Sequence, residues 1–399
     1  MPVSSASRDR RRVVLLGSTG SVGRQAVDLI DAHPDRFEVV ALASAGQRLE
    51  VLVRQAARLR VDYIGITDPA QAMDLDTLCR ALYPPDAALP EILVGRGAAA
   101  ELAGVDSDVV LNAIDGSAGL RPSLAALDAG SILALANKES LITGGLLLTS
   151  RAAPGQIIPV DSEHSALAQC LRGADAREVE RLVLTASGGL FRGRRRADLA
   201  AVTAQQALAH PKWSMGPVIT TNSATLMNKG LEIIEANLLF GVPYERIDAV
   251  VHPQAAVHSM VEFVDGSVLA QCSTADMRLP IAAALDWPHR VPGVVASLDW
   301  SAHHDWHFEP VDHATFPAIA LARTAGAAGE CVPAVLNTAN EIMVAAFLAG
   351  AIGFLDIVDR VGMTVRDWLE SHHDDTPADG LQAIEHAQKW AAHHARHLL

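Results

Sequence analysis

Residues 12–42 read RVVLLGSTGSVGRQAVDLIDAHPDRFEVVAL. An apolar run, a glycine turn, a helical stretch and a second apolar run follow one another, which predicts a buried strand, a helix and a parallel neighbour strand. The turn GSTGSVG carries Gly17, Gly20 and Gly23. It leaves a strand and opens a helix, the context that lets backbone N–H groups approach a dinucleotide pyrophosphate. The spacing is GxxGxxG rather than GxGxxG, so a tight strand–helix turn without a ligand stays open at this point. The second strand ends in Ser44-Ala45-Gly46-Gln47-Arg48, with no Asp or Glu for a ribose 2′-hydroxyl. A small residue followed by Arg48 leaves room for a 2′-phosphate and a cation to meet it, which favours NADP over NAD.

Further β/α alternation extends outward from this unit. DYIGIT, EILVG, DVVLNAIDGSAGL and SILALANKESLITGG each begin as a short buried strand, with a helix around Met73 to Leu82. Such alternation implies a parallel sheet flanked by helices, with ligands at the strand carboxyl ends. Asn137-Lys138-Glu139 stand at one such end, as a ligand site or as a helix cap with a salt bridge. GQIIPVDSEHSAL then offers Asp161 and Glu163 just past an apolar run. On an extended backbone both carboxylates face one way. With a third carboxylate they suit Mg²⁺ or Mn²⁺; a capping Asp beside a solvated Glu is the alternative.

The stretch HPKWSMGPVITTNSATLMNKGLEIIEA, residues 210–236, divides in two. His210 to Asn222 holds too many breakers for a helix and reads as a lid loop carrying Trp213 and Met215. From Ser223, placed to cap the helix, Met227, Leu231, Ile234 and Leu238 form an apolar stripe. Asn228, Lys229, Glu232 and Glu235 lie on another side, as a solvated polar face or a ligand-holding one. Gly230 in mid-helix implies close approach of something. Upstream, a strand running into Ser187-Gly188-Gly189 can nest an anion. Arg192, Arg194, Arg195 and Arg196 after it read as a solvated loop.

AVVHPQAAVHSMVEFVDGSVLAQCST reads as two strands joined by a hairpin at Asp265-Gly266, apolar enough to be covered, for instance by a second subunit. Residues around Trp287 to Pro317 lack a period and read as a linker, with His303, His304 and His307 wet rather than metal-bound. From Pro317 onward the chain is helical; His393 and His397 are surface side chains of that region.

Composition sets outer limits. The 399 residues carry a formal net charge of −14, which argues against a nucleic-acid partner. No apolar run reaches the ~18 residues needed to span a bilayer. MPVSSASRDRRR lacks the apolar core of a secretory signal. Four scattered cysteines, Cys79, Cys170, Cys272 and Cys331, fit a reducing cytoplasm.

The strings GSTGSVG, LANKESL, PVDSEHSA, ASGG, HPKWSMG, NSATLMNKGLEIIEA, VHPQAAVHSMV and DMRLPI, in this order, resemble the 1-deoxy-D-xylulose 5-phosphate reductoisomerase family. They cover residues 13 to about 285, and the helical tail fits the family's end domain. The resemblance implies an α/β protein with an N-terminal Rossmann-like NADPH-binding domain at 1–155 and a central α/β catalytic domain at 156–290. A linker at 291–316 and a C-terminal α-helical domain at 317–399 follow. The implied activity is NADPH- and divalent-metal-dependent rearrangement and reduction of 1-deoxy-D-xylulose 5-phosphate to 2-C-methyl-D-erythritol 4-phosphate, in non-mevalonate isoprenoid synthesis. A homodimer in the cytoplasm is expected.

Carried over by position, the resemblance implies that Thr19, Gly20, Ser21, Val22, Asn137, Glu139 and Gly216 hold NADPH; the reading of the second strand's end adds Gly46 and Arg48 to the cofactor site. It gives Asp161, Glu163 and Glu232 to Mg²⁺ or Mn²⁺, and sets Lys138, Ser162 and Glu163 at the reacting carbons. Ser187, His210, Ser223, Asn228 and Lys229 hold the phosphate, under a lid of Trp213 and Met215. Three places depart from the commonest family pattern: Pro217-Val218 replace a basic pair, Asn222 replaces Asp, and Gly46-Gln47-Arg48 replace a Lys-Asn ending. Rival readings are a plain NADP-dependent dehydrogenase, a non-catalytic NADP sensor, and an aldehyde dehydrogenase with a cysteine nucleophile. No cysteine sits in a Gly-rich turn to serve the last.

Overall fold

The computed structural model describes residues 10–209, 216–371 and 380–399. The chain divides into two compact units: one of Met1–Ser140, Arg151–Ser165 and Asp276–Ala296, the other of Leu141–Ser150, Ala166–Ala275 and Ser297–Leu399.

The first unit opens with β1 (Arg11–Leu16), α1 (Ser21–Asp31), β2 (Phe37–Ser44), α2 (Leu49–Leu59), β3 (Tyr63–Ile66) and α3 (Ala72–Leu82). It goes on through β4 (Glu91–Val94), α4 (Ala98–Ala103), β5 (Val109–Asn112), α5 (Leu120–Asp128), β6 (Ile132–Leu135), the start of α6 (Lys138–Thr149), β7 (Ile157–Pro159) and the start of α7 (Ser162–Cys170). Its sheet has seven strands in the order β4-β3-β2-β1-β5-β6-β7, all parallel. The chain steps outward from β1 in one direction, then returns to β5 on the other side. That reversal makes a crevice beyond the carboxyl ends of β1 and β5. Apart from the edge strand β4, the strands are largely buried on both faces, so they read as continuous apolar runs; Val13, Leu15, Leu42, Ile64 and Leu111 form the core with Ile30, Leu52 and Leu75.

The second unit contains β8 (Val179–Ala186), α8 (Ala204–Ala207), α9 (Pro217–Ala224), α10 (Met227–Phe240), β9 (Ile247–Val251), β10 (Val257–Phe263) and β11 (Val268–Cys272). Helix α11 (Arg278–Leu285) belongs to the first unit, where its Ile281 and Leu285 join the core. Asp286 at its end is held by the guanidinium of Arg36, and Arg11 donates to Leu285 O at 3.1 Å. The second unit closes with β12 (Glu309–Pro310), α12 (Ala318–Ala328), α13 (Val332–Leu348), α14 (Phe354–Ser371) and α15 (Gly380–His397). Its five-stranded sheet runs β11-β10-β8-β9-β12. Phe191, Leu231, Ile234, Leu336, Met343, Val361 and Trp368 share one core, so the helical tail packs with the second sheet's helices.

Several expectations change here. The segment from Ala249 to Thr274 contributes to three strands, not two, because His252 to Ala256 turns the chain between β9 and β10; the Asp265-Gly266 hairpin joins β10 to β11 as expected. Residues 309–310 of the expected linker pair with β9 as an edge strand. The expected boundaries at residues 155, 290 and 316 do not coincide with the two units: β7 lies beyond 155 yet completes the parallel sheet. Among the described residues no helix is long and apolar enough to cross a membrane. The four cysteines are free thiols. Arg192 and Arg196 pair with Glu309 and Asp359, so this arginine run is met by carboxylates. No group of three ligand-type side chains forms around His303, His304 and His307 among the described residues.

Candidate active site

In the first unit the turn after β1 is forced by its glycines. Gly17 has φ +81°, and a Cβ there would stand 2.3 Å from Ala113 O. A Cβ on Gly23 would stand 2.3 Å from Gly17 O, so only glycine lets α1 pack onto the turn. Gly20 stands at the N-cap of α1, and no side chain caps that helix. The N–H groups of its first turn, at Ser21 and Val22, are thus offered to an anion. Thr19 O accepts from Arg48 Nη1 at 3.2 Å, and Ser18 O from Gln55 Nε2 at 3.0 Å, tying the turn to the far side of β2. Gly46, with φ +101°, lies against Gln71: a Cβ would be 2.7 Å from Gln71 Oε1. Gln55 and Gln71 went unmarked in the sequence, since a lone glutamine on a helix has no distinguishing spacing.

At the next strand ends, Asn137 acts as both cap and strut. Its Oδ1 accepts from Ser140 N at 2.7 Å, while its Nδ2 donates to Gly116 O at 2.9 Å and to Ile114 O. The capping alternative for this residue therefore holds. Burial pushes the Glu139 carboxyl up; its own backbone N–H and Lys138 pull it back, and Asp115 adds to the rise. Lys138 Nζ lies 3.0 Å from Asp161 Oδ2, with both side chains 12% exposed.

Asp161 ends the β7 segment and caps α7: its Oδ1 accepts from Glu163 N at 3.1 Å and His164 N at 3.4 Å. Glu163 is in the first turn of that helix, not on an extended strand, so the alternation argument for a shared face is corrected. The cap folds the two carboxylates together instead, with an oxygen of each within 4.8 Å of the other. Ser162 Oγ bonds the Glu163 carboxylate. His164, fully buried, sets Nδ1 3.2 Å from Asp161 Oδ1. The sequence reading missed His164, although three residues after a capping Asp is the place to look. Two hard-oxygen donors at a strand end, one beside a lysine, fit a Mg²⁺- or Mn²⁺-type ion.

The second unit holds the other candidate residues. Pro217 does not break a helix but starts one, since its missing N–H is unneeded in the first turn. Residues 217–224 are thus helical, correcting the loop expected as far as Asn222. Gly216 precedes that first turn. Ser223 sits within α9 and does not cap α10; Leu226, with φ +59°, separates the two helices. His210, Trp213 and Met215 lie outside the described residues.

Helix α10 is enclosed on nearly every side rather than amphipathic at a surface. Lys229 and Glu232, 4% and 1% exposed, form an ion pair, and Asn228 Nδ2 donates to the same carboxylate. Glu235 is also buried. Gly230 is where α12 crosses: a Cβ would be 2.8 Å from Ala322 Cβ and 3.0 Å from Ala318 O. Its close neighbour is a helix. The Ser187 turn comes within reach of α9, because a Cβ on Gly189 (φ +67°) would stand 2.8 Å from Ser223 O. Ser187 Oγ accepts from Gly189 N at 3.3 Å. Two histidines of the VHPQAAVH segment were also missed. His252 Nε2 accepts from Ala256 N and Val257 N, both at 3.1 Å, and its Nδ1 faces His307 O at 2.9 Å. His258 is buried, and that burial holds it below its ordinary value.

Three family models match the chain along its length. One described as 1-deoxy-D-xylulose 5-phosphate reductoisomerase covers residues 13–145, its C-terminal domain covers 157–240, and a DXP reductoisomerase C-terminal domain covers 272–394. A relative of that name from Paenarthrobacter aurescens is 53% identical over 96% of both chains. The chain belongs to the 1-deoxy-D-xylulose 5-phosphate reductoisomerase family. The reductoisomerase of Leifsonia xyli is 55% identical over 98% of this chain and 99% of its own. The solved reductoisomerase from Zymomonas mobilis, in complex with NADPH, superposes with TM-score 0.89 at 39% identity, covering 98% of this chain and 99% of its own. Another solved reductoisomerase, in complex with NADPH, fosmidomycin and magnesium, gives TM-score 0.88 at 37% identity, covering 97% and 98%.

Proposed function

We propose that this chain is an NADPH- and divalent-metal-dependent enzyme that rearranges and reduces 1-deoxy-D-xylulose 5-phosphate to 2-C-methyl-D-erythritol 4-phosphate. The observation that carries this reading is end-to-end similarity to reductoisomerases at 53% identity. The paired Asp161 and Glu163 at the end of a parallel strand, beside Lys138, support it.

Asp161, Glu163 and Glu232 would hold Mg²⁺ or Mn²⁺. When bound, the ion supplies Lewis acidity toward a ketone oxygen and its neighbouring hydroxyl, and NADPH supplies the hydride. Lys138 keeps a fixed positive charge at the reacting end, where negative charge grows on oxygen. Asp161 orients that ammonium, and Ser162 and Glu163 flank the reacting carbons. Thr19, Gly20, Ser21 and Val22 bind the cofactor pyrophosphate through the opening turn of α1. Gly46 and Arg48 would take its 2′-phosphate end, with Asn137, Glu139 and Gly216 nearer the nicotinamide. Ser187, Ser223, Asn228, Lys229 and His210 bind the substrate phosphate, and Trp213 and Met215 exclude water above it. Binding energy at the phosphate end orients the distant carbons that react.

A homodimer is part of this reading. β11 is an edge strand that exposes Val268 and Leu269, beside exposed Val264, the kind of edge a second copy covers. Free cysteines agree with a reducing cytoplasm.

The test is NADPH oxidation with 1-deoxy-D-xylulose 5-phosphate before and after EDTA. Activity should vanish with chelation and return with Mn²⁺ or Mg²⁺. Turnover that survives chelation would favour a plain NADP-dependent dehydrogenase.

A further inference from the structure

Ser223, Asn228 and Lys229 lie on two successive helices whose relative placement depends on the short break at Thr225-Leu226. Leu226 adopts the left-handed region, which costs a branched residue energy, so something must hold that break in place.

A chain of buried polar bonds does so. Asn340 on α13 is fully buried, and its Nδ2 donates to Asn222 Oδ1 on α9 at 2.9 Å. Asn222 O accepts from Thr225 Oγ1 at 3.2 Å, and Thr225 Oγ1 accepts from Met227 N, the first residue of α10, at 3.3 Å. The run Asn340, Asn222, Thr225, Met227 thus connects the C-terminal helical segment to both helices that carry the phosphate residues. Asn340 Oδ1 has no hydrogen-bond partner among the described residues. Leaving one end of a buried amide unsatisfied costs stability, which sets the bond from its other end to Asn222 apart from ordinary apolar packing at this site.

We propose that Asn340 is a positioning residue for the substrate phosphate: through Asn222 it sets the rotation of α9, and with it Ser223, and through Thr225 the start of α10. It acts through other side chains and touches no substrate. The proposal rests on the phosphate assignment made above.

The test compares full-length wild type with Asn340→Leu, which keeps the number of side-chain heavy atoms but has no N–H, and Asn222→Asp, whose carboxylate accepts the same N–H. For Asn340→Leu, KM for 1-deoxy-D-xylulose 5-phosphate should rise about tenfold, with kcat changed less than about threefold and KM for NADPH unmoved. Competitive inhibition by inorganic phosphate should weaken in parallel. Asn222→Asp should keep the substrate KM within about twofold of wild type. A lowered melting temperature with both KM values unchanged, or an equal rise in both, would overturn the proposal. If Asn340→Leu does not fold, Asn340→Ser, with a shorter donor, supplies the same comparison. Absence of turnover in wild type would sink the functional reading instead. The tie is then decided by thermal protection with inorganic phosphate: its loss in the variant supports the tie, and equal protection ends it.

Discussion

Each unit buries a lysine against a carboxylate, and the two pairs differ in kind. Lys138 and Asp161 meet at the ends of parallel strands, 3.0 Å apart and each 12% exposed. Lys229 and Glu232 meet on one helix face, with almost no exposure. Asp161 also accepts from the N–H groups of Glu163 and His164, so the lysine is not its only donor. Glu232 accepts from Asn228 and pairs with Lys229 inside a core lined by Leu231, Ile234 and α12. The first pair sits at strand carboxyl ends, where open sheets bind ligands. The second is a buried pair, in which removing one partner strands the other's charge.

Substitutions can separate these roles. The largest effect is expected from Glu232→Gln, which keeps the shape and the bond to Asn228 but removes a charge proposed for the metal. Turnover should fall on the order of a thousandfold or more, while NADPH binding, followed by cofactor fluorescence, stays within about twofold of wild type. Retained turnover would remove Glu232 from the metal site. Lys138→Ala should lower kcat by about 10²–10³ and cost only about 1–2 kcal/mol of stability in urea titrations. Lys229→Ala should do the reverse: a raised KM for the phosphorylated substrate, and about 3–5 kcal/mol of stability lost. Equal stability losses in the two variants would erase the distinction between the pairs.

The same contrast explains what could be read from the sequence. The parallel sheet and its glycine turn were legible because double-sided burial writes continuous apolar runs between turns. Asn137, Lys138 and Asp161 stand out by their place at strand ends, a rule that needs no tertiary information. Asn228, Lys229 and Glu232 gave only an amphipathic pattern, in which a solvated face and a buried charged face look alike. Nothing local tells a helix that α12 will cover it, so these residues were reached through the family's motif. Pro217, and with it the place of Ser223, is ambiguous for a different reason: proline stops a helix in its interior and starts one at its first turn, and composition alone does not say which applies. His252 and Asn340 were invisible because their partners, His307 O and Asn222, lie far away in sequence.

The smallest expected effect concerns pH, and it extends the comparison to the groups around each lysine. Near Lys138 the perturbed neighbour is Glu139, raised by burial and partly restored by the lysine. On the other unit it is His258, held low first by burial, with the charges of His252 and Lys229 adding to the fall and backbone bonds at Ser273 and Thr274 opposing it. A histidine depressed in the folded state binds protons less readily than in the unfolded chain. Its contribution to stability is therefore complete at neutral pH. It is lost as pH falls through the ordinary histidine range toward the folded value, with a slope of at most about 1.4 kcal/mol per pH unit for one proton. His258→Gln should flatten that acid limb in urea titrations between neutral and mildly acidic pH. Lys229→Met should flatten it only slightly, since burial is the larger cause and remains. An unchanged limb in His258→Gln would move the acid sensitivity to other groups, and an equal flattening in both variants would make the lysine's charge, rather than burial, the dominant influence on this histidine.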